Sequence, residues 1–438
     1  MANEKPDGGS PFSGRNNFLW LVADKGLRLL AGVAVGVLVA RHLGPGRYGL
    51  FAYAASIVAV LMPLAELGVE AVVRRKLIME PESAACWLGL VWRARLGSAV
   101  LLNALVAGWL AFFHGPSEDT ALILILSITL FQPAGMTADM WLQANLRARQ
   151  ATMASWLALL AGAVSRLWLV GEDADLTAYA WVAAGEGALN CVFVRLAARR
   201  SGMPRRAGDF APVVSLRVLM AESWPLLLAG LTVMLYMRLD MVMLRSLSGE
   251  RAAGIYAAAV RLSELWYFLP GALASSILPG LLRRKAESSA AYGEAMRRYY
   301  DLNAAMAYVA AAGTFLAAEP LVRLAYGAEF TESAAVLRCH AWSVVFVFLG
   351  VARSQYLVNE GMAAFHLATT AAGAALNIAL NFWLIPAHGP IGAAWATLAS
   401  YGVAAWGASW LHPRARATAA LQTRALLVPL LGWRYLRF

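Results

Sequence analysis

The chain has 438 residues, of which 60% are hydrophobic and only 14% are charged. A typical soluble domain carries about 25% charged residues, so this composition argues against a soluble protein and predicts an integral membrane protein. The net charge is +11, but the Lys and Arg residues fall mainly in short links between apolar runs, as in cytoplasmic loops of membrane proteins. The basic balance therefore does not indicate a nucleic-acid partner.

The polar residues 1–17 are predicted to form a disordered tail. Apolar segments long enough to span a bilayer, about 20 residues each, then follow. Twelve helices are predicted near 18–41, 49–73, 86–113, 120–143, 151–170, 176–198, 221–247, 252–282, 301–325, 334–358, 363–386 and 390–411. The first six form an N-terminal lobe at 18–198, and the last six form a C-terminal lobe at 218–411. The basic stretch 199–217 is a cytoplasmic linker between them, and 412–438 is a basic cytoplasmic tail.

An internal repeat supports this division. Residues 40–54 read ARHLGPGRYGLFAYA, and residues 245–259 read RSLSGERAAGIYAAA. After a one-residue insertion, Gly49 aligns with Gly254. Each copy is a short polar turn between two long apolar segments. A repeat spacing of about 205 residues predicts two halves of one kind, and paired helical bundles are common among transporters.

The loops predict the orientation. Basic residues such as Arg74 and Arg75 follow even-numbered helices, whereas acidic residues such as Glu118 follow odd-numbered ones; Arg47 and Arg251 are exceptions. The positive-inside rule then places both termini in the cytoplasm, in agreement with twelve spans. Because each half has six helices, the halves share one orientation. We therefore predict an all-α integral membrane protein whose two six-helix lobes are related by a pseudo-two-fold axis along the membrane normal.

Charged residues fall within or at the ends of several predicted spans. A charge at bilayer depth costs several kcal/mol unless it faces a cavity or a partner, so such residues are functional candidates. Guanidinium groups suit an anionic ligand, because they bind phosphate through two hydrogen bonds. We predict substrate binding by Arg28, Arg166, Arg238, Arg261 and Arg353. Carboxylates suit a coupling cation or proton. We predict coupling or gating roles for Glu66, Glu70, Asp139, Asp240 and Glu264.

Structural roles remain alternatives for the charges in helices 7 and 8. Arg261 and Glu264 are three residues apart, so they share a helix face and can pair. Arg238 and Asp240 are two residues apart and point to different faces, so each needs another partner.

Structural roles also remain alternatives in the first half. Glu66 and Glu70 are four residues apart on helix 2, where like charges repel, and Arg74, one turn further, is the expected partner of Glu70. Arg166 is either a cavity residue or one that extends its head to the interface. Arg95, early in helix 3, is expected to extend towards the inner interface.

Four segments resemble polysaccharide repeat-unit flippases and exporters, within the superfamily of multidrug and oligosaccharidyl-lipid exporters. The first, residues 39–75, reads VARHLGPGRYGLFAYAASIVAVLMPLAELGVEAVVRR. The resemblance continues at 138–149 and is stronger at 237–282. It closes at 376–402, LNIALNFWLIPAHGPIGAAWATLASYG, a distinctive passage from helix 11 to helix 12.

The resemblance implies two lobes around a central cavity and movement of an undecaprenyl-pyrophosphate-linked oligosaccharide from the inner to the outer leaflet. It also implies that cavity arginines hold the pyrophosphate, with Arg28 the best-placed match. Asp240 and Glu264 stand where the family's helix 7 and helix 8 motifs carry acidic residues. Residues 166–190 match the family pattern poorly.

We therefore predict a flippase of the bacterial cytoplasmic membrane that works by alternating access for cell-surface polysaccharide synthesis. Its partners are the lipid-linked oligosaccharide and membrane lipid, with a polymerase and glycosyltransferases as further candidates. No enzymatic or metal-binding motif occurs, and no cofactor is expected beyond coupling to H+ or Na+. One alternative is a cation-coupled drug or metabolite exporter of the same fold, whose cavity should be acidic and aromatic. Another is a non-transporting scaffold for the synthesis enzymes, against which the charges in both halves argue.

Overall fold

The computed structural model describes residues 11–204 and 215–431, apart from the side chains of 11–25, 28–30, Pro279, Leu430 and Leu431. The first ten residues, most of the predicted linker and the end of the predicted tail lie outside the described residues. Within the described part the chain is almost entirely helical and has no β-strand. Residues 11–17, predicted to belong to the polar tail, are helical.

Sixteen α-helices are present in the described residues. They are α1 (Pro11–Glu66), α2 (Glu70–Met79), α3 (Ala84–Phe113), α4 (Glu118–Ser127), α5 (Gln132–Gly135), α6 (Thr137–Ala144), α7 (Ala148–Gly171), α8 (Leu176–Arg200), α9 (Leu216–Ser263), α10 (Phe268–Glu287), α11 (Ser289–Tyr326), α12 (Ser333–His340), α13 (Ser343–Asn359), α14 (Ala363–Ala405), α15 (Arg416–Leu426) and α16 (Val428–Leu431). Short 3-10 turns join several of them.

Three long helices are broken by a glycine with left-handed backbone: Gly44 in α1 (φ 71°), Gly249 in α9 (φ 86°) and Gly389 in α14 (φ 55°). Only glycine adopts such angles without strain. Eight helical stretches of the described chain are long and apolar enough to cross a membrane. Counting the three broken stretches twice and adding the 25-residue α8 gives the twelve predicted helices. The predicted fold class, an all-α membrane protein, is confirmed.

Large apolar side chains cover much of the surface. Phe112, Leu316, Leu324 and Trp383 are 76–88% exposed. Monomeric soluble proteins rarely expose contiguous apolar surface of this kind, whereas lipid tails solvate it without cost. These side chains therefore mark lipid-facing helix surfaces, and the protein is a multi-pass membrane protein.

Backbone contacts divide the chain into two compact units. Unit 1 contains Met1–Val35 and Val58–Leu231, and unit 2 contains Gly36–Ile57 and Thr232–Phe438. The chain thus passes between units inside α1 and α9, rather than in the predicted linker at 199–217. The predicted lobes, which meet at that linker, stay a prediction.

Two glycines that are equivalent in the repeat explain why Gly36–Ile57 groups with unit 2. A Cβ atom on Gly49 would come within 2.0 Å of the Glu250 carbonyl oxygen, and one on Gly254 would come within 1.7 Å of the Pro45 carbonyl oxygen. No Cβ fits at these distances, so backbone packs directly against backbone. The two repeat turns therefore contact each other within unit 2.

Each unit has its own apolar core. In unit 1, α2, α3, α6 and α8 bury a cluster around Trp87 and Leu142. In unit 2, α11 and α13 bury a cluster around Tyr300 and Phe348, which Ala425 of α15 joins. The Tyr300 hydroxyl also contacts Thr418 of α15. This part of the predicted tail therefore packs against the helical core.

Candidate functional site

The charged residues of helices 7 and 8 meet in unit 2. Arg238 of α9 pairs with Glu264, which begins the 3-10 turn after α9, at 3.4 Å between Nη2 and Oε2. The two side chains are 34% and 22% exposed. Glu264 thus contacts an arginine 26 residues earlier. Arg261, the other partner considered for Glu264, is exposed and lies beside Gly36, where a Cβ would come within 2.9 Å of its Cζ. Arg238 is thus half-buried, whereas Arg261 is exposed.

Asp240 lies in a separate buried cluster of unit 2 and is 5% exposed. Its carboxylate accepts hydrogen bonds from the Tyr256 hydroxyl, from the Met241 N–H at 2.7 Å and from the Thr397 hydroxyl at 3.4 Å. The prediction that Arg238 and Asp240 have different partners is confirmed.

Neutral polar residues of α14 extend this cluster. Asn381 donates to Asn377 Oδ1 at 2.9 Å, Asn377 donates to Ser400 Oγ at 3.3 Å, and Ser400 donates to the Thr397 carbonyl at 3.1 Å. Sequence reasoning missed these residues and Tyr256. The signal for the asparagines was their spacing, since two amides four residues apart on an apolar helix share one face.

Replacing Tyr256 with phenylalanine tests how much this cluster stabilises unit 2. The variant leaves the Asp240 carboxylate with one donor fewer in a buried place, so unfolding is expected to become easier by about 1–3 kcal/mol. Tyr326→Phe is a matched control, because the Tyr326 hydroxyl is buried and makes no hydrogen bond among the described residues. Thermal unfolding of the purified protein in detergent should distinguish the two, and equal unfolding temperatures would contradict the assignment.

A half-open pocket of about 290 Å³ is lined by residues of unit 1, and we call it chamber 1. Its lining includes Glu66, Glu70, Asp139 and Arg95. Arg95 is only 3% exposed, and it donates to the carbonyl oxygens of Glu66 at 3.1 Å and Pro133 at 2.9 Å. The expectation that Arg95 extends to the inner interface is therefore wrong. Arg95 lies early in helix 3, but its guanidinium is held inside the protein by these two carbonyl oxygens.

The two glutamates of chamber 1 do not stack on one helix as predicted. Leu67 and Gly68 adopt left-handed backbone angles (φ 60° and 63°), so α1 ends at Glu66 and α2 begins at Glu70. A Cβ on Gly68 would also come within 2.4 Å of the Leu227 nitrogen, so the break packs against α9. Both carboxylates still border the same chamber.

A chain of polar contacts runs along the edge of chamber 1. Arg74 pairs with Glu70 at 3.0 Å, which confirms that prediction. Arg74 also donates to Gln143 at 2.8 Å, and Gln143 donates to Asp139 at 2.6 Å. Because Arg74 and Glu70 are 38% and 56% exposed, their ion pair stabilises the fold by about 1 kcal/mol or less.

A second chamber of unit 1, about 140 Å³ in volume, holds Arg166 and Glu186, and we call it chamber 2. The two side chains form an ion pair at 2.6 Å and are each 22% exposed. Of the two alternatives for Arg166, the structure supports the cavity residue. Gln132 borders both chambers.

Arg353 is sealed inside unit 2 at 1% exposure. Its Nε donates to Ser409 Oγ at 2.6 Å, its Nη2 donates to Thr369 Oγ1 at 3.0 Å, and its guanidinium lies 5.6 Å from the Phe365 ring centre. No ligand can reach Arg353 in this conformation. Arg28 lies in α1, and its side chain is outside the described part of the structure.

Ion pairs and pockets bordered by charged residues lie among long apolar helices, an arrangement typical of membrane transporters, where such charges serve a ligand or an ion path. In the described residues, no group of three or more His, Cys, Asp or Glu side chains is placed to hold a metal ion. The comparisons with known proteins agree with this class and identify a family within it.

The chain belongs to the family described as "Polysaccharide biosynthesis protein", whose model matches residues 15–280. The predicted resemblance is thereby confirmed. A search of curated proteins gave no match.

Solved structures of transporters share the fold. The lipid II flippase MurJ in an inward closed conformation is 14% identical with a TM-score of 0.71, over 94% of this chain and 92% of MurJ. An inward-facing MATE multidrug resistance transporter of the MOP superfamily is 14% identical with a TM-score of 0.68, over 90% of this chain and 96% of the transporter. An outward-facing MATE structure is 16% identical with a TM-score of 0.68, over 96% and 100%. At such identities the likeness concerns the fold alone.

Proposed function

We propose that the protein is a flippase that moves an undecaprenyl-pyrophosphate-linked oligosaccharide across the bacterial cytoplasmic membrane by alternating access. Membership of a polysaccharide biosynthesis family supports the pathway, and a fold shared with a lipid II flippase supports the type of movement. No covalent bond is made or broken in this process, so the chain needs no catalytic residue. Both termini are proposed to lie in the cytoplasm, where glycosyltransferases and a polymerase are candidate partners.

Two arginines of unit 2 are the reason for proposing an anionic ligand. Arg238 and Arg261 lie in an apolar stretch of helix, Leu216–Leu278, that qualifies as membrane-spanning. Charged groups in such a stretch are costly unless they face a cavity or a partner, so both arginines are candidates to bind a ligand. A pyrophosphate suits such groups, since a guanidinium can form two parallel hydrogen bonds to phosphate oxygens.

The geometry of the Arg238–Glu264 pair suits ligand exchange. Its 3.4 Å separation is longer than the roughly 2.7–2.9 Å of a strong charge-assisted hydrogen bond. A phosphate oxygen that approaches Arg238 can therefore displace the Glu264 carboxylate. Glu264 is then the group that signals occupancy, which fits the gating role predicted for it.

The other predicted residues complete the proposal. Arg28 is proposed to bind the substrate, and Arg166 to bind it in another conformation, whereas the sealed Arg353 is proposed to act as a structural link. Asp240 is proposed to couple the cycle to H+ or Na+ from its buried position. Glu66, Glu70 and Asp139 are proposed to act as gating carboxylates at chamber 1.

Replacing Arg261 with alanine tests the headgroup site. A hydrogen bond to a charged group contributes about 1.5–3 kcal/mol, so the variant should bind the lipid-linked pyrophosphate oligosaccharide tenfold or more weakly. Binding and translocation are measured with the labelled lipid in reconstituted vesicles. Arg284→Ala is the control, because Arg284 is an exposed arginine in the last turn of α10. Wild-type affinity and rate in Arg261→Ala would refute the assignment.

An exporter of cationic drugs is the second candidate, favoured by the three carboxylates that border chamber 1. Transport measured in the same reconstituted vesicles distinguishes the flippase from the drug exporter. A drug exporter would move a lipophilic cation in competition with protons and leave the lipid-linked oligosaccharide in its original leaflet.

A further inference from the structure

We propose that chamber 2 is a saccharide subsite, which binds one edge of a neutral sugar of the transported oligosaccharide through Asn190, Glu186 and their polar neighbours. The inference deepens the proposed function and rests on it for the identity of the oligosaccharide. All the residues that line chamber 2 belong to unit 1, whereas the arginines proposed to bind the pyrophosphate, Arg238 and Arg261, belong to unit 2.

The lining of chamber 2 offers hydrogen bonds and little apolar surface. Two amides, one hydroxyl and one ion pair supply its polar groups: Gln132, Asn190, Ser155, Arg166 and Glu186. The other lining residues are small: Ala158, Ala183 and Gly187. Ligand sites fix the orientation of a ligand through a few convergent polar groups of this kind. The chamber therefore suits a ligand rich in hydroxyl groups and does not suit a lipid tail.

The charges in the lining favour a neutral ligand. Arg166 and Glu186 pair at 2.6 Å and are each 22% exposed, so the two charges neutralise each other at the chamber. An anion entering the chamber would be repelled by the carboxylate, and a cation would be repelled by the guanidinium. A sugar avoids both costs, because its hydroxyl groups are uncharged and both donate and accept hydrogen bonds.

An unsatisfied acceptor at chamber 2 indicates that a ligand supplies a donor. Asn190 of α8 borders the chamber and is 5% exposed, and its Oδ1 accepts no hydrogen bond among the described residues. Its Nδ2 lies 3.5 Å from the sulfur of Met136, which is a weak acceptor. A buried amide oxygen without a donor is costly. A sugar hydroxyl can donate to it and replace a water that does so before the sugar binds.

The backbone of α7 leaves room for the carboxylate beside this amide. A Cβ on Gly162 would come within 2.2 Å of Glu186 Oε2, so glycine lets the carboxylate lie against α7. A guanidinium and a carboxylate can each form several hydrogen bonds, so the bond from Arg166 does not use up the capacity of Glu186. Arg166 therefore holds the carboxylate in place, and Glu186 accepts a hydrogen bond from the sugar.

The size of chamber 2 limits what it binds. Its volume is about 140 Å³, whereas pockets that enclose a whole drug-sized ligand measure about 300–1,000 Å³. This space equals the share of about four or five liquid waters, which is enough for one edge of a sugar ring. Gln132 also borders chamber 1, so an adjoining sugar can extend past this amide. The subsite therefore recognises a single sugar and not the whole oligosaccharide.

The position of the subsite in the sequence agrees with a role in specificity. Arg166, Glu186 and Asn190 all lie in 166–190, the stretch that matches the family pattern poorly. A family pattern describes what its members share, so residues that recognise one particular sugar are expected to fall outside it. Sequence reasoning gave no role to Glu186 or Asn190, because the chamber that they border forms only when α5, α7 and α8 pack together.

Two lipids that differ in the sugar test the subsite. The full-length protein in vesicles is titrated with lipid-linked oligosaccharide extracted from cells that express it, and with undecaprenyl pyrophosphate, which has no sugar. Asn190→Leu should bind the oligosaccharide lipid about two- to tenfold more weakly, the effect of one lost hydrogen bond. It should bind undecaprenyl pyrophosphate with wild-type affinity, whereas Arg261→Ala should bind both lipids more weakly.

The control separates a binding role from a structural one. Asn303→Leu removes a comparable amide in unit 2, because Asn303 is 0% exposed, its Oδ1 also has no partner among the described residues, and it does not line chamber 2. Asn303→Leu should bind both lipids as wild type does. If Asn190→Leu folds poorly, Ser155→Ala provides the same comparison. Wild-type affinity of Asn190→Leu for both lipids would show that water alone satisfies Asn190, and equal weakening for both would show a structural effect; either result overturns the proposal.

A second measurement does not depend on transport. Mild acid releases the oligosaccharide from its lipid, and saturation-transfer NMR detects its binding to the purified protein in detergent. The sugar protons should receive saturation from wild type and Asn303→Leu, but not from Asn190→Leu. No transfer from wild type would overturn the saccharide subsite. If wild type bound the free oligosaccharide but moved no lipid in vesicles, the flippase function would be refuted while the subsite remained.

Discussion

Gly254→Ala should strongly destabilise the conformation described. Its new Cβ would lie 1.7 Å from the Pro45 carbonyl oxygen and 2.6 Å from the carbonyl carbon. Overpacked side chains typically cost about 1–3 kcal/mol, but here the obstacle is backbone, which no rotamer change removes. We therefore expect a cost at or above the upper end of that range.

Thermal unfolding in detergent and translocation in vesicles measure the effect of Gly254→Ala. Gly46→Ala is a close control, because Gly46 lies in the neighbouring repeat turn and a Cβ added there would meet no heavy atom within 4 Å. A Gly254→Ala protein as stable and active as Gly46→Ala would show that the two turns are not in backbone contact.

Arg353→Ala should reduce stability by about 2–4 kcal/mol rather than weaken substrate binding. The change leaves the hydroxyls of Ser409 and Thr369 without their buried partner and creates a cavity beside Phe365. Removal of a buried charge offsets part of this cost. Arg353 is thus expected to act as a structural link between α13, α14 and the 3-10 turn that carries Ser409.

A second substitution separates volume from hydrogen bonding at Arg353. Arg353→Met fills most of the cavity, so it should be less destabilised than Arg353→Ala. Arg284→Ala is the surface control, because such substitutions usually change the free energy of unfolding by no more than about 0.5 kcal/mol. Unfolding temperatures and lipid affinities are measured for all three. If Arg353→Ala kept normal stability but lost affinity for the lipid, Arg353 would be a substrate-binding residue and not a structural link.

Much of the fold was predictable because the signals are local. Apolar segments of spanning length, separated by polar turns, predict twelve helices without any knowledge of packing. The repeat predicted that the turns near Gly44 and Gly249 are alike, and both glycines have left-handed angles (φ 71° and 86°). The break at Leu67–Gly68 escaped prediction because a single glycine inside a helical pattern does not by itself mark a helix end.

The candidate site was less predictable because its contacts join distant parts of the chain. Arg166 and Glu186 are 20 residues apart, and Tyr256 and Thr397 are 141 apart. Helical spacing reveals neighbours three or four residues apart, such as Arg74 and Glu70. It cannot reveal which helices are adjacent, so Arg95 was assigned to the interface although it is buried.

The matching angles at Gly44 and Gly249 have an evolutionary consequence. They fit an origin of the two turns from one duplicated segment, in which side chains diverged while the reversal of the chain did not. Each turn needs its own glycine, so a substitution in one turn is not compensated by the unchanged sequence of the other.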